Sequence, residues 1–161
     1  MFDEASLKAA LLVPLLVSDY SAWAGHIPFA FTVMELLRPR VLVELGTHKG
    51  DSYCAFCHAA EVLGTQTRCT AVDTWAGDGQ AGYYGASVLA ELREHHDPRY
   101  GAFSTLQQGT FAQAAEQFAP ASVDLVHVDG RHEYEAVRED FALWRGRLSE
   151  KAVVLLHDTQ V

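Results

Sequence analysis

The chain has 161 residues, 49% hydrophobic and 20% charged, which suits one globular domain with a single sizeable core. Its net charge of -9, with no dense run of Lys and Arg, excludes a phosphate-neutralising nucleic-acid surface. Ala9 to Val17 is apolar, but Asp3 and Glu4 before it carry the wrong charge for a secretory leader. Pro14 interrupts a run already too short to cross a bilayer. These features predict a cytoplasmic protein with neither a membrane nor a nucleic-acid partner.

In chain order, helices are predicted over about Ala5 to Val17 and Phe29 to Leu37, the second closed by Arg38-Pro39. Residues 1–40 are therefore expected to be a helical segment packed on a core of residues 41–161. Between the two helices Asp19-Tyr20-Ser21-Ala22-Trp23-Ala24-Gly25-His26 reads as an aromatic and polar loop. Val41 to Leu45 is a short apolar run stopping at Gly46, as expected of a strand buried on both faces. A helix over Ser52 to Leu63 and a strand over Cys69 to Asp73 follow, then a helix over Ser87 to His96 and a strand over Phe103 to Leu106. The last predicted elements are a helix over Phe111 to Phe118, a strand over Val123 to Asp129, an amphipathic helix over Glu133 to Leu148 and a fifth strand over Ala152 to Leu156. Such alternation predicts an α/β fold: a Rossmann-like, doubly wound, mainly parallel sheet with helices on both faces. Ligands of these sheets bind outside the carboxyl ends of the strands, where Glu44, Asp73, Asp129, His157 and Asp158 fall.

Glu44-Leu45-Gly46-Thr47-His48-Lys49-Gly50 follows the first strand. A dinucleotide fingerprint has three glycines there; this loop has two, preceded by an acid that would repel a pyrophosphate. The same acid suits a cation, and S-adenosylmethionine (SAM) carries a sulfonium and an ammonium. Asp73, at the end of the second strand, is placed to accept hydrogen bonds from ribose hydroxyls. After it, Thr74 to Gly85 holds four glycines and three aromatics, the texture of a flap over a planar ligand, with Trp75 a candidate stacking partner for adenine.

His127-Val128-Asp129-Gly130-Arg131-His132 and His157-Asp158-Thr159 follow neighbouring strands and can converge. Carboxylates with imidazoles suit a divalent metal, for which Asp129, His157 and Asp158 are the candidate ligands. His132 is the alternative, a general base near neutral pH. A competing assignment takes His127, Asp129 and His157 as the two-His, one-carboxylate set of an iron-dependent hydroxylase. A packed strand histidine is the favoured reading of His127 alone. Cys54-Ala55-Phe56-Cys57-His58 matches a haem-attachment pattern, but its apolar helical setting favours buried free thiols.

Taken together, Val43 to Ser52, Ala71-Val72-Asp73-Thr74-Trp75-Ala76-Gly77-Asp78, and Val128-Asp129-Gly130 through His132 to Val137, Asp140, Trp144 and His157-Asp158-Thr159 resemble class I SAM-dependent methyltransferases. Within that class they are similar to the small methyltransferase-24-like branch associated with or fused to bacterial glycosyltransferases. The resemblance covers nearly the whole chain from about Asp19. It implies SAM contacts at Glu44, Gly46, Asp73 and Trp75 and an adenine-side contact near Gln108-Gly109-Thr110, with Thr47, Gly50, Thr74 and Asp129 completing the candidate cofactor set. It also implies divalent-metal binding by Asp129 and Asp158 and a small hydroxylated or saccharide acceptor; Asp129 and His132 are the candidate catalytic residues. Class I members add further strands after the fifth, so the sheet is expected to look truncated, its edge covered by a second copy or a covalently linked domain.

Overall fold

The computed structural model describes residues 9, 12–19, 21–79 and 82–158. Five parallel strands form the main sheet: β1 (Val41–Leu45), β2 (Arg68–Asp73), β5 (Ser104–Gln108), β6 (Val123–Val128) and β7 (Leu148–Leu156), ordered β5-β2-β1-β6-β7. Between β2 and the next helix the flap folds into a small antiparallel pair, β3 (Gly77–Asp78) and β4 (Gly82–Tyr83). Helices α1 (Ile27–Leu37), α2 (Asp51–Leu63), α3 (Ser87–Tyr100), α4 (Phe111–Ala115) and α5 (Tyr134–Trp144) complete the chain. The strand order reverses between β1 and β6, so the ligand-binding crevice of a doubly wound sheet is expected there.

The period-two alternation of a strand divides the core. Leu42, Ala71, Leu106 and Leu125 face α1, α2 and α3, packing on Phe31, Met34, Tyr53 and Phe56. Val43, Val72, Val126 and Val128 face the other way, toward Ala114, Ala115 and Trp144 of α4 and α5. On the first face Ser104 Oγ lies 2.5 Å from Tyr53 Oη, 2.7 Å from His96 Nε2 and 3.3 Å from Cys57 Sγ, a buried polar hub. Cys54, Cys57 and Cys69 are all buried and free, as the thiol reading expected.

Several boundaries differ from the expectations. Residues 5–8, 10 and 11 of the first predicted helix, like Thr159, lie outside the described residues. Residues 12–19 are not helical: Pro14 removes an amide donor and disfavours helix at Val13. This stretch instead has no regular secondary structure and is tied down at Ser18, whose N–H and Oγ–H both donate to Asp51, each at 2.6 Å. α4 stops at Ala115, because Gln117 N–H turns to Ala114 three residues back and Pro120 lies ahead. β7 begins at Leu148 rather than Ala152. Among the described residues no helix is long and apolar enough to cross a membrane.

Candidate functional site

One cavity of 970 Å³ opens at the carboxyl ends of β1, β2 and β6. Its floor is the turn after β1. Gly46 has φ +89°, and a Cβ on it would lie 2.2 Å from the Asp129 carbonyl oxygen, so only glycine lets the two loops approach this closely. Gly50, at φ +84°, packs against Leu92 and caps α2.

Asp73 holds this turn. Its Oδ2 accepts from the Thr47 and His48 amides at 2.8 and 2.9 Å, and its Oδ1 from the Trp75 amide at 2.8 Å. Asp73 also lines the cavity, as do Thr47, Gly50 and Thr74. Three backbone donors leave it capacity for about one further bond on Oδ1, not for the pair of ribose hydroxyls that its position suggests. Trp75 is 2% exposed and lies outside the cavity wall, its indole N–H donating to the His48 carbonyl at 2.9 Å. It braces the loop from within the core. Gly109 is likewise off the wall, its amide continuing the β2–β5 ladder to the Asp73 carbonyl.

Glu44 is also buried beneath the loop. It stands opposite His127 in the β1–β6 register, with Oε2 2.8 Å from His127 Nδ1. Both side chains are almost fully enclosed, with Phe56 and Trp23 packed against the imidazole. Burial holds the Glu44 carboxyl above its ordinary value, the hydrogen bond to His127 offsetting only part of the rise. With its Nδ1 committed to Glu44, His127 stands apart from the polar cluster above. The two-His, one-carboxylate set of the hydroxylase assignment is therefore not assembled.

The structure does bring Asp129, His132, His157 and Asp158 together, with one ligand atom from each lying within 4.8 Å of the others. His157 Nδ1 lies 3.0 Å from Asp129 Oδ1 and 3.2 Å from Asp158 Oδ1. His132 Nδ1 lies 3.3 Å from Asp158 Oδ2, and its Nε2 lies 3.6 Å from Asp129 Oδ1. Two carboxylates and two imidazoles within this radius suit a borderline divalent cation. Trp23 stacks on His157 at 6.1 Å and 26°, giving the cluster an aromatic wall. Wall residues to which the sequence reading gave no site role include Phe111 and Asp140. Asp140 had a signal: it stands between Ala136 and Trp144 at helical spacing, a carboxylate on an otherwise inward-facing stripe.

Residues 43–159 match the methyltransferase domain family, and the chain belongs to it. The fold and family together define a methyltransferase domain built on a Rossmann-like sheet. The chain is 45% identical over 159 residues to y4gI, an uncharacterized protein of Sinorhizobium fredii, covering 99% of this chain but only 17% of that protein. Among solved structures it resembles the O-methyltransferase TomG of Streptomyces achromogenes, in complex with SAM and involved in tomaymycin synthesis (TM-score 0.64, 20% identity, 97% of this chain, 66% of that one). It also resembles the methyltransferase PaMTH1 of Podospora anserina, bound to S-adenosylhomocysteine, SAH (0.63, 17%, 97% and 62%). These likenesses show the shared sheet architecture, and the chain spans 66% and 62% of the two structures.

Proposed function

We propose that this chain binds SAM across the turn at Gly46–Gly50 and transfers its methyl group to a hydroxyl of a small or saccharide acceptor. The observation that carries this reading is that one cavity joins the Asp73-pinned turn to the Asp129, His132, His157 and Asp158 cluster. In the transfer the acceptor oxygen attacks the methyl carbon, the carbon–sulfur bond breaks, and its electron pair stays on the sulfur of SAH. Asp129 or His132 takes the acceptor proton, and enclosure by Trp23 and Tyr84 limits competing water. A divalent cation held by Asp129, His157 and Asp158 would supply Lewis acidity toward the acceptor oxygen.

The O-methyltransferases among the structural likenesses support the choice of oxygen as acceptor, and the sequence resemblance supports a glycan setting. A second reading, a non-catalytic SAM-binding module of a larger glycan-modifying protein, draws support from y4gI, of which this chain spans 17%. In either reading a second copy or a linked domain covers the outer edge of β7, where Leu156 is 47% exposed. Isothermal titration with SAM and SAH, with and without magnesium, tests the cofactor. Micromolar binding is expected, and its absence refutes both readings. Methyl transfer from labelled SAM to a panel of hydroxylated acceptors and sugars then separates them, because the module binds SAH without turnover.

A further inference from the structure

We propose that Asp140 is a specificity-determining residue for the cofactor's base, accepting a hydrogen bond from the exocyclic amino group of adenine. The inference rests on the SAM reading above and names the part of the cavity that holds the purine. If the ribose lies at Asp73 and the reacting sulfonium near Asp129, the base must continue along a different stretch of wall. The Gly109 amide bonds the Asp73 carbonyl, so Thr110 and Phe111 adjoin the ribose end. From Phe111 the wall passes to Gly130, where an added Cβ would lie 2.9 Å from the Phe111 ring and 3.7 Å from Asp140 Oδ2. Phe111, Gly130 and Asp140 thus meet at one corner: an aromatic face, bare backbone and a carboxylate edge.

The acid is out of place unless something pairs with it. Asp140 shares the inward stripe of α5 with Ala136 and Trp144, both buried, and half-buried itself it lines the cavity. Among the described residues its carboxylate makes no hydrogen bond and no ion pair at contact distance. Burial pushes it up to about 6, against the pull of Arg131 and with the push of Glu139. A carboxylate that lines the cavity without a protein donor is open to a ligand, and an amino group is the donor that this corner can receive. Adenine supplies such a donor on a flat apolar ring that fits against Phe111.

The experiment is calorimetric titration of the chain with SAH and with its 6-deamino analogue, which carries purine in place of adenine. The wild type is expected to bind SAH about tenfold to a hundredfold more tightly than the purine analogue, the range for a hydrogen bond to a charged group. Asp140→Ala should weaken SAH by a similar factor, leave the analogue nearly unchanged and erase the preference. Equal binding of the two ligands by the wild type overturns the inference, and that arm needs no folded variant. A preference that survives intact in Asp140→Ala overturns it as well. Failure of the wild type to bind either ligand refutes the SAM reading itself, and this inference with it.

Discussion

Replacing Gly46 by alanine tests whether the close approach of the two loops is what shapes the cofactor turn. The new Cβ would lie 2.2 Å from the Asp129 carbonyl oxygen, 2.6 Å from its carbon and 2.8 Å from the Gly130 nitrogen, all backbone atoms. Ordinary contact needs roughly 3.5 Å, so one loop must retreat by about 1 Å. The residue must in addition hold φ +89°, which is strained for any side chain. Strain and overpacking together give a loss of about 3 kcal/mol. For a chain of this size that is a fall in Tm of about 10 °C. A 1 Å displacement of a positioned binding loop also weakens ligand capture, by about a hundredfold. Differential scanning calorimetry and SAH titration read the two effects separately. Gly50→Ala is the internal comparison: its Cβ meets the flexible Leu92 side chain, so the expected loss is smaller, about 1 to 2 kcal/mol. A Gly46→Ala protein that melts and binds SAH like the wild type would refute the reasoning.

Asp158→Asn should weaken Mn²⁺ binding, followed by titration calorimetry or paramagnetic broadening, by at least about tenfold; unchanged binding removes Asp158 from the metal set. Ser104→Ala leaves His96 Nε2 without its partner and the Tyr53 hydroxyl with only the longer bond to the Thr105 carbonyl. Urea denaturation should show a loss of about 2 to 4 kcal/mol, and a loss under 1 kcal/mol would contradict the hub. The Asp124 carboxylate takes hydrogen bonds from Arg40 Nε, Nη2 and backbone N–H and from Ser149 Oγ, and Arg40 holds it well below its ordinary pKa. Because the folded-state pKa is depressed, this stabilisation is present at neutral pH and fades as the pH falls below the unfolded value near 4. Arg40 is largely exposed, so Asp124→Asn should cost only about 1 kcal/mol at pH 7, the gap to wild type closing in acid. A gap that stays constant with pH would count against the ion pair.

The parallel sheet was legible because β1, β6 and the second half of β7 are short apolar runs, and because β1, β2 and β6 end at or just before an acid or a glycine. β7 was read too short because Glu150 and Lys151 face solvent on an edge strand, where apolar continuity is not required. Candidates near one another in sequence, such as Gly46 and Thr47, were found with the turn that joins them. The partner of Glu44 was not, because strand register alone sets His127 beside it, 83 residues away. Trp75 was read as a stacking partner for adenine from its place after Asp73, while its left-handed φ of +49° turns it back under the loop.

The acids around the cavity divide by what occupies their lone pairs. Asp73 accepts from three backbone amides, Asp51 from Ser18, and Glu44 Oε2 meets an imidazole in the core. Each of these carboxylates is mainly a clamp, holding a backbone segment or a strand neighbour. Asp129 and Asp158 meet imidazoles at 3.0 to 3.6 Å, and those groups are themselves able to bind a cation or accept a proton. Position at a strand end therefore does not separate scaffold from chemistry, since Glu44, Asp73 and Asp129 all share it. What separates them is whether their partners are backbone and core groups or imidazoles that line the cavity. By that criterion the reacting end of the cavity is the β6–β7 side. The β1–β2 side is a rigid cradle whose acids act on a ligand chiefly through the amides they aim.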